Sequence, residues 1–439
     1  MPVPVAGGTR RPLDSAQFGI WFAVQLTPYS PWHNLAEGME IHGPVDEVLF
    51  EQAFRRVIED HDALRVVFGE DEEGMPEQTV LDRLDWSLDV IDMSAEEDPR
   101  QSALAWMDDE TATPVDLTAG PPYTSVLLRL SADAYIWYKR MHHIMVDGHG
   151  IHVVTRRVAD VYSRLVAGEP VPEADTGSVV ELVDEDIAYR SRDRFEADRV
   201  FWNERLHGLG DPPTLSDRAP GPETYHCRRS VRLVPQEQVA RYRTSARARA
   251  TTWAALVNAA TAAYLHRCTG ATDISIGNPV SGRKGHRRTV GMTSSYVPLR
   301  LSLTERTTVA ELIGSATRGL RDIMQHQRYR YEDIRRDLRL TQSARPVIGP
   351  TISFLPFRDF EMSFGGHRVT GHTLCFGSAV RDVAVNVFER GGDNGAEFFF
   401  DADPVAYTQE ELDGHADRFL RFVDAFAAAP QTPIGALPV

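Results

Sequence analysis

The stretch that most constrains this chain is a strand-forming run that ends in two adjacent histidines and turns at once into a helix. Residues 134–141 are rich in strand formers and close at Met141. His142 and His143 follow, then Ile144, Met145 and Val146, then Asp147 and Gly148. From His149 toward Leu165, the residues Ile151, Val154, Val158, Val161, Tyr162 and Leu165 recur at helical spacing, so this stripe is core. A strand that turns through Asp-Gly into a helix puts imidazole and carboxylate at one lip. Side chains alternate faces along a strand, so two successive histidines cannot share a cavity while the strand stays regular. His143 is therefore expected to face the chemistry and His142 to pack inward. The turn around Asp147 is apolar, which predicts a buried carboxylate, and a buried carboxylate needs a cation.

Histidine and aspartate are also metal-ligand chemistry. Adjacent strand histidines point apart, however, and the chain contains no HExxH or CxxC spacing, so no catalytic metal is expected. With 439 residues the chain can form two units of ordinary size. Its net charge of −16 argues against a nucleic-acid partner, which would call for a basic face. No apolar run reaches the length of a membrane span, and residues 1–11 lack the apolar centre of a signal peptide. Cys227, Cys268 and Cys375 are odd in number and lack metal spacing, which predicts reduced thiols and a cytoplasmic location.

Along the chain, Asp14 is placed to cap a helix in which Phe18, Trp21, Phe22 and Leu26 share one face. Residues 35–42 read as a strand, and Asp46 opens a second amphipathic helix. Arg65 is expected to be a structural cation where that helix gives way to a strand. Residues 123–130 and 134–141 predict a hairpin around Ser131, Ala132 and Asp133. The Pro/Gly-rich stretch 168–177 is the clearest linker, so the division is placed there, giving lobes 1–177 and 178–439. A long charged helix is predicted over 180–206 and a buried, nearly all apolar one over 251–268. Thr308 with Glu311, and Thr408 with Glu411, form capping boxes.

The segment His142–Gly148 matches HHxxxDG, and in this the chain resembles the condensation domains of non-ribosomal peptide synthetases. Further segments agree in the right order. Ser15-Ala16-Gln17 with Trp21 resembles the family's first motif, and His61, Leu64, Arg65 and Phe68 resemble its second. Residues 290–299 resemble the fifth, with Ser295 where Asn is usual, and His326-Gln327-Arg328-Tyr329 is a variant of the sixth. Residues 348–357 resemble a segment of the enterobactin-synthase type, with Ser353 at the place of Asn. The resemblance runs from Leu13 to about Pro430 and is closest overall to that type.

The resemblance implies an α/β fold of two chloramphenicol-acetyltransferase-like lobes in a V-shaped pseudo-dimer. It implies amide bond formation between substrates delivered on the phosphopantetheine arms of donor and acceptor carrier proteins, with no covalently bound cofactor. It makes His143 catalytic, as base or as positioner, and His142, Asp147 and Gly148 supporting residues. It brings Arg283 beside the motif as the cation for Asp147, and makes Ser294, Ser295, Ser353, Gly377 and Ser378 candidate channel residues. The chain carries neither an adenylation motif nor a phosphopantetheine attachment site, so carriers and an adenylation neighbour are expected as separate partners. A free-standing acyltransferase using coenzyme A, or a non-catalytic recruiting domain, are the alternatives. Relatives of the former are about half this length, and the latter usually lack a motif histidine.

Overall fold

The predicted hairpin forms. Strands Tyr123–Ser131 and Ala134–His142 pair antiparallel, with Tyr123 opposite Met141 and Ser131 opposite Ala134. The structure is a computed structural model that describes residues 3–4, 7–28, 30–218, 227–283, 285–340, 346–355, 362–376, 380, 382–389 and 395–439, without the side chains of 3–4 and 373–376. The chain folds as two units. The first comprises Met1–Ser191, Arg283–Ser294 and Arg358–Ser378; the second comprises Arg192–Gly282, Ser295–Phe357 and Ala379–Val439.

In the first unit Ala134–His142 is an interior strand. The sheet runs Ser363–Phe364, His367–Phe376, Asn34–His42, Ala134–His142, Tyr123–Ser131, Asp89–Asp92, and only the last pair is parallel. An interior strand covered on both faces carries apolar residues at odd and even positions alike. Trp137 and Met141 join a cluster with Phe54 of helix Glu47–Asp60 and Val154 of helix Gly148–Ala167. Ile136 and Tyr138 pack on the opposite face with Ala103 and Met107 of helix Pro99–Thr111. The register, with Asn34 opposite His142, fixes what stands beside the strand's end.

The second unit has its own six-stranded sheet, in the order Arg228–Val234, Ala396–Ala402, Val383–Glu389, Thr351–Leu355, Asp273–Val280, Ser295–Ser302. Thr351–Leu355 runs parallel to both of its neighbours. Helix Trp253–Thr269 is buried at every residue from Ala255 to His266, as its composition predicts. Both predicted capping boxes are present at Thr308 and Thr408.

Three expectations are corrected. The helix expected over 180–206 is two helices, Val179–Arg190 and Asp193–Leu206. Ser191 turns its hydroxyl onto the Ala188 carbonyl and Arg192 is extended, so the helix stops where the chain passes from one unit to the other. The linker at 168–177 is not the point of division. Asp62 accepts the Ser178 hydroxyl and, at 2.9 Å, the Val179 amide, while His61 Nδ1 lies 3.1 Å from Thr176 Oγ1. The stretch around His61 thus fastens the end of the linker to the first unit, and the chain crosses at 191/192, returning later for 283–294 and 358–378. Finally, the first helix, Ser15–Leu26, buries only Trp21 of the four apolar residues expected to share a face. Ala16, Ile20 and Trp21 are buried, whereas Phe18, Phe22 and Leu26 form an exposed row with Phe18 and Phe22 in ring contact at 4.7 Å. Arg65 does take the structural place expected of it, donating to the carbonyls of Ile58 and Glu59 at a helix C-terminus and to that of Leu81.

Candidate active site

His142 is the last residue of its strand, and His143 begins the turn. The two rings differ in burial, His142 packing inward and His143 standing nearer the surface. His142 is 3% exposed and His143 is half-buried. His142 Nδ1 accepts the Ile144 amide at 3.2 Å, and its carbonyl accepts the Met145 amide at 3.1 Å, so the ring and backbone shape the turn. Burial, and next the nearby His33, His143 and Arg140, push the His142 imidazole well below its ordinary proton affinity, so it is neutral.

A third histidine stands here that the sequence reading missed. His33 lies just before strand Asn34–His42, and the register sets it beside His142, ring centroids 5.6 Å apart. Its carbonyl accepts the His143 amide at 2.6 Å. Burial, and after it the charge of His143, lower its pKa to about 4. No periodicity or motif marks residue 33; only strand pairing brings it to a turn 110 positions away.

Asp147 is 1% exposed and caps helix Gly148–Ala167, accepting the Gly150 amide at 2.9 Å. Arg283 Nη2 meets its Oδ1 at 2.7 Å, with both side chains 2% exposed. The amides of Thr293 and Ser294 and the Thr293 hydroxyl reach Oδ2, each at 3.2 Å. Burial alone would raise this carboxyl, but the Arg283 charge and the Gly150 amide outweigh it and hold the group below the usual carboxylate range. Arg283 also donates to the carbonyls of Thr289 and, at 2.6 Å, Gly291. The carboxylate thus ties the motif turn to segment 283–294. Space is tight there: a Cβ on Gly150 would stand 2.5 Å from Val146.

Of the sequence candidates, His142, His143, Asp147, Gly148, Arg283 and Ser294 come together in the first unit. Gly148 is the first residue of its helix. Ser295 and Ser353 belong to the second unit; Ser295 Oγ accepts the Tyr331 amide at 3.2 Å, and Ser353 is buried in strand Thr351–Leu355. Gly377 and Ser378 lie outside the described residues. Thr293 was not singled out in advance, although its two bonds to Asp147 make it part of the same knot. Cys227 and Cys268 are free thiols. Among the described residues no helix is long and apolar enough to cross a membrane.

A family model described as "Condensation domain" matches residues 9–438. The chain is 40% identical over 431 residues, 98% of its length, to an isonitrile lipopeptide synthase of Streptomyces coeruleorubidus. It is 29% identical over 95% of its length to enterobactin synthase component F of Escherichia coli. It spans 29% and 32% of those two proteins. Among solved structures, the starter condensation domain of rhizomide synthetase, a mutant in complex with C8-CoA, matches with a TM-score of 0.90 and 34% identity over 98% of each chain.

Proposed function

The chain belongs to the condensation-domain family of acyltransferases, and on that premise we propose that it joins a carrier-bound aminoacyl amine to a carrier-bound acyl thioester. The observation that carries this reading is the turn itself, with His143 at the strand's end and Asp147 locked by Arg283 beneath it. The donor carbonyl arrives activated as a thioester. The amine nitrogen attacks that carbon, a C–N bond forms, the C–S bond breaks, and the pantetheine thiolate leaves. One proton must pass from nitrogen to sulfur. His143 accepts the hydrogen bond from the attacking amine and takes this proton, a task suited to a neutral imidazole. Positioning of two tethered reactants supplies the greater part of the acceleration, about 7–11 kcal/mol.

The donor and acceptor arms belong to carrier proteins, and an adenylation domain is the natural source of the aminoacyl group. Likeness to a starter condensation domain and to a lipopeptide synthase supports an acyl donor over a peptidyl one. Two free thiols support a reducing, cytoplasmic setting.

Intact-protein mass spectrometry of the acceptor carrier, after mixing acyl-carrier, aminoacyl-carrier and the chain, should show the summed mass of the amide. His143→Ala should slow its formation about a hundredfold without altering the melting curve. A fully active His143→Ala removes His143 from the mechanism. Equal transfer from acyl-coenzyme A to a free amine, with no gain from either carrier, would replace carrier-bound condensation with a free-standing acyltransferase.

A further inference from the structure

The second unit holds a cavity of about 470 Å³ between helix Asp193–Leu206, strand Ser295–Ser302 and helix Val309–Gln325. Arg205, Arg300, Arg318, Ser302, Ser315 and Asp322 line it. Three guanidiniums in one cavity stand out in a chain of net charge −16.

The three are not equivalent. Arg300 is matched: its Nε and Nη2 grip Asp273 at 2.7–3.1 Å, and its Nη1 reaches the carbonyls of Arg205 and His207. Arg205 is not matched. Its Nε is buried and has no hydrogen-bond partner, and its Nη2 reaches only the Arg300 carbonyl, at 3.3 Å. Arg318 is exposed and donates to Ser315 Oγ at 3.1 Å. Among the described residues no carboxylate pairs with Arg205 or Arg318. With Arg300 neutralised by Asp273, two unpaired cations face one acid, Asp322. Gly319 keeps the space open, since a Cβ there would lie 3.3 Å from Arg205 Nη2 and 2.5 Å from Leu299.

Two cavity-lining guanidiniums without a carboxylate partner, those of Arg205 and Arg318, favour an anion there, and planar guanidinium groups match the oxygens of phosphate. The volume exceeds that of a bare anion, and Asp322 with the two serines offers acceptors and hydroxyls to an attached organic part. We propose that this cavity is a binding site for a phosphate ester, held by Arg205 and Arg318 and distinct from the His143–Asp147 turn. The same chemistry has two sources here, the phosphate of a pantetheine arm and a free phosphate. Only the first rests on the condensation reading.

Calorimetric titration of the full chain at constant ionic strength, with 4′-phosphopantetheine and separately with inorganic phosphate, tests the site. The ester should bind saturably. Arg205→Gln and Arg318→Gln should each weaken it about tenfold, while Arg321→Gln, on the same helix but outside the lining, should not. Tighter binding of the ester than of phosphate points to the arm, and equal binding to the free anion. Absence of saturable binding, or binding indifferent to both Arg205→Gln and Arg318→Gln, overturns the proposal. Should Arg205→Gln fold poorly, Arg318→Gln on the exposed side decides alone. The readout does not depend on amide formation, so a chain that binds the ester yet makes no amide keeps this site and loses the condensation reading.

Discussion

Each unit places a histidine near a buried aspartate, and the two arrangements divide the work in opposite ways. In the second unit His326 Nδ1 meets Asp198 Oδ1 at 2.7 Å, the ring stacks on Phe201 at 3.8 Å, and the His326 carbonyl accepts the Trp202 indole at 3.0 Å. Arg194 reaches the same Asp198 oxygen at 2.9 Å. The three His326 contacts fasten the end of helix Val309–Gln325 to helix Asp193–Leu206, and Arg194 braces Asp198 from within that helix. In the first unit the hydrogen bonds of Asp147 go to Arg283, Gly150, Thr293 and Ser294. The aspartate holds the turn. The His326–Asp198 pair is a staple between two helices, whereas the carboxylate of Asp147 is taken up by Arg283, Thr293 and Ser294.

The largest effect is expected at Asp147. Asp147→Ala leaves Arg283 buried and uncompensated, with an expected loss of about 3–5 kcal/mol in a denaturant melt. The double variant Asp147→Ala with Arg283→Met should recover part of that loss, because no lone charge stays buried. Strictly additive losses would show that the two residues are not each other's partners.

Acidity sharpens the contrast next, because His33 and His61, both in the first unit, have pKa values lowered to about 4 by burial first of all. An unfolded chain takes up a proton on each histidine as pH falls through about 6.5, and the folded chain does so only near pH 4. The contribution of each is therefore whole above pH 6.5 and shrinks between there and pH 4. Going from pH 7 to pH 5 should cost about 2 kcal/mol per histidine. Urea melts at the two pH values check this, and His33→Phe should flatten the dependence by one histidine's share. An unchanged slope in His33→Phe would remove His33 from the buried cluster. Asp147, whose carboxyl is held low, keeps its contribution across that window and loses it only at more acid pH.

The smallest effect is expected at the staple. His326→Ala should lower stability by about 1.5 kcal/mol and leave the rate of amide formation untouched, the reverse of His143→Ala. A rate loss at His326→Ala with unaltered stability would erase the distinction between the two pairs.

Much of the site was legible because it is local. Strand, turn and helix follow from the order of residues 134–165, the Asp147 cap from its place before the helical stripe, and the split between His142 and His143 from strand alternation. The need of Asp147 for a cation followed from the apolar residues around it, whereas the choice of Arg283 came from family resemblance, since spacing alone leaves Arg287 and Arg288 equally eligible. Capping boxes at Thr308 and Thr408 were readable for the same reason, their partners being three residues apart.

What the tertiary structure decided involves partners far apart in the chain. His33 reaches His143 because Asn34 pairs opposite His142, a register set by the whole sheet. The exposure of Phe18, Phe22 and Leu26 was not readable from helical spacing, which places apolar residues on a face without saying whether anything covers it. Linker 168–177 reads as a break by composition, yet Asp62 and His61 hold its end, and the division moves to Ser191. Local propensities act through a few neighbouring torsions and hydrogen bonds, so a one-dimensional pattern carries them. Burial, ion pairing and the proton affinity of an imidazole depend on what packs from elsewhere in the chain, and that is fixed only when the sheets and helices close around it.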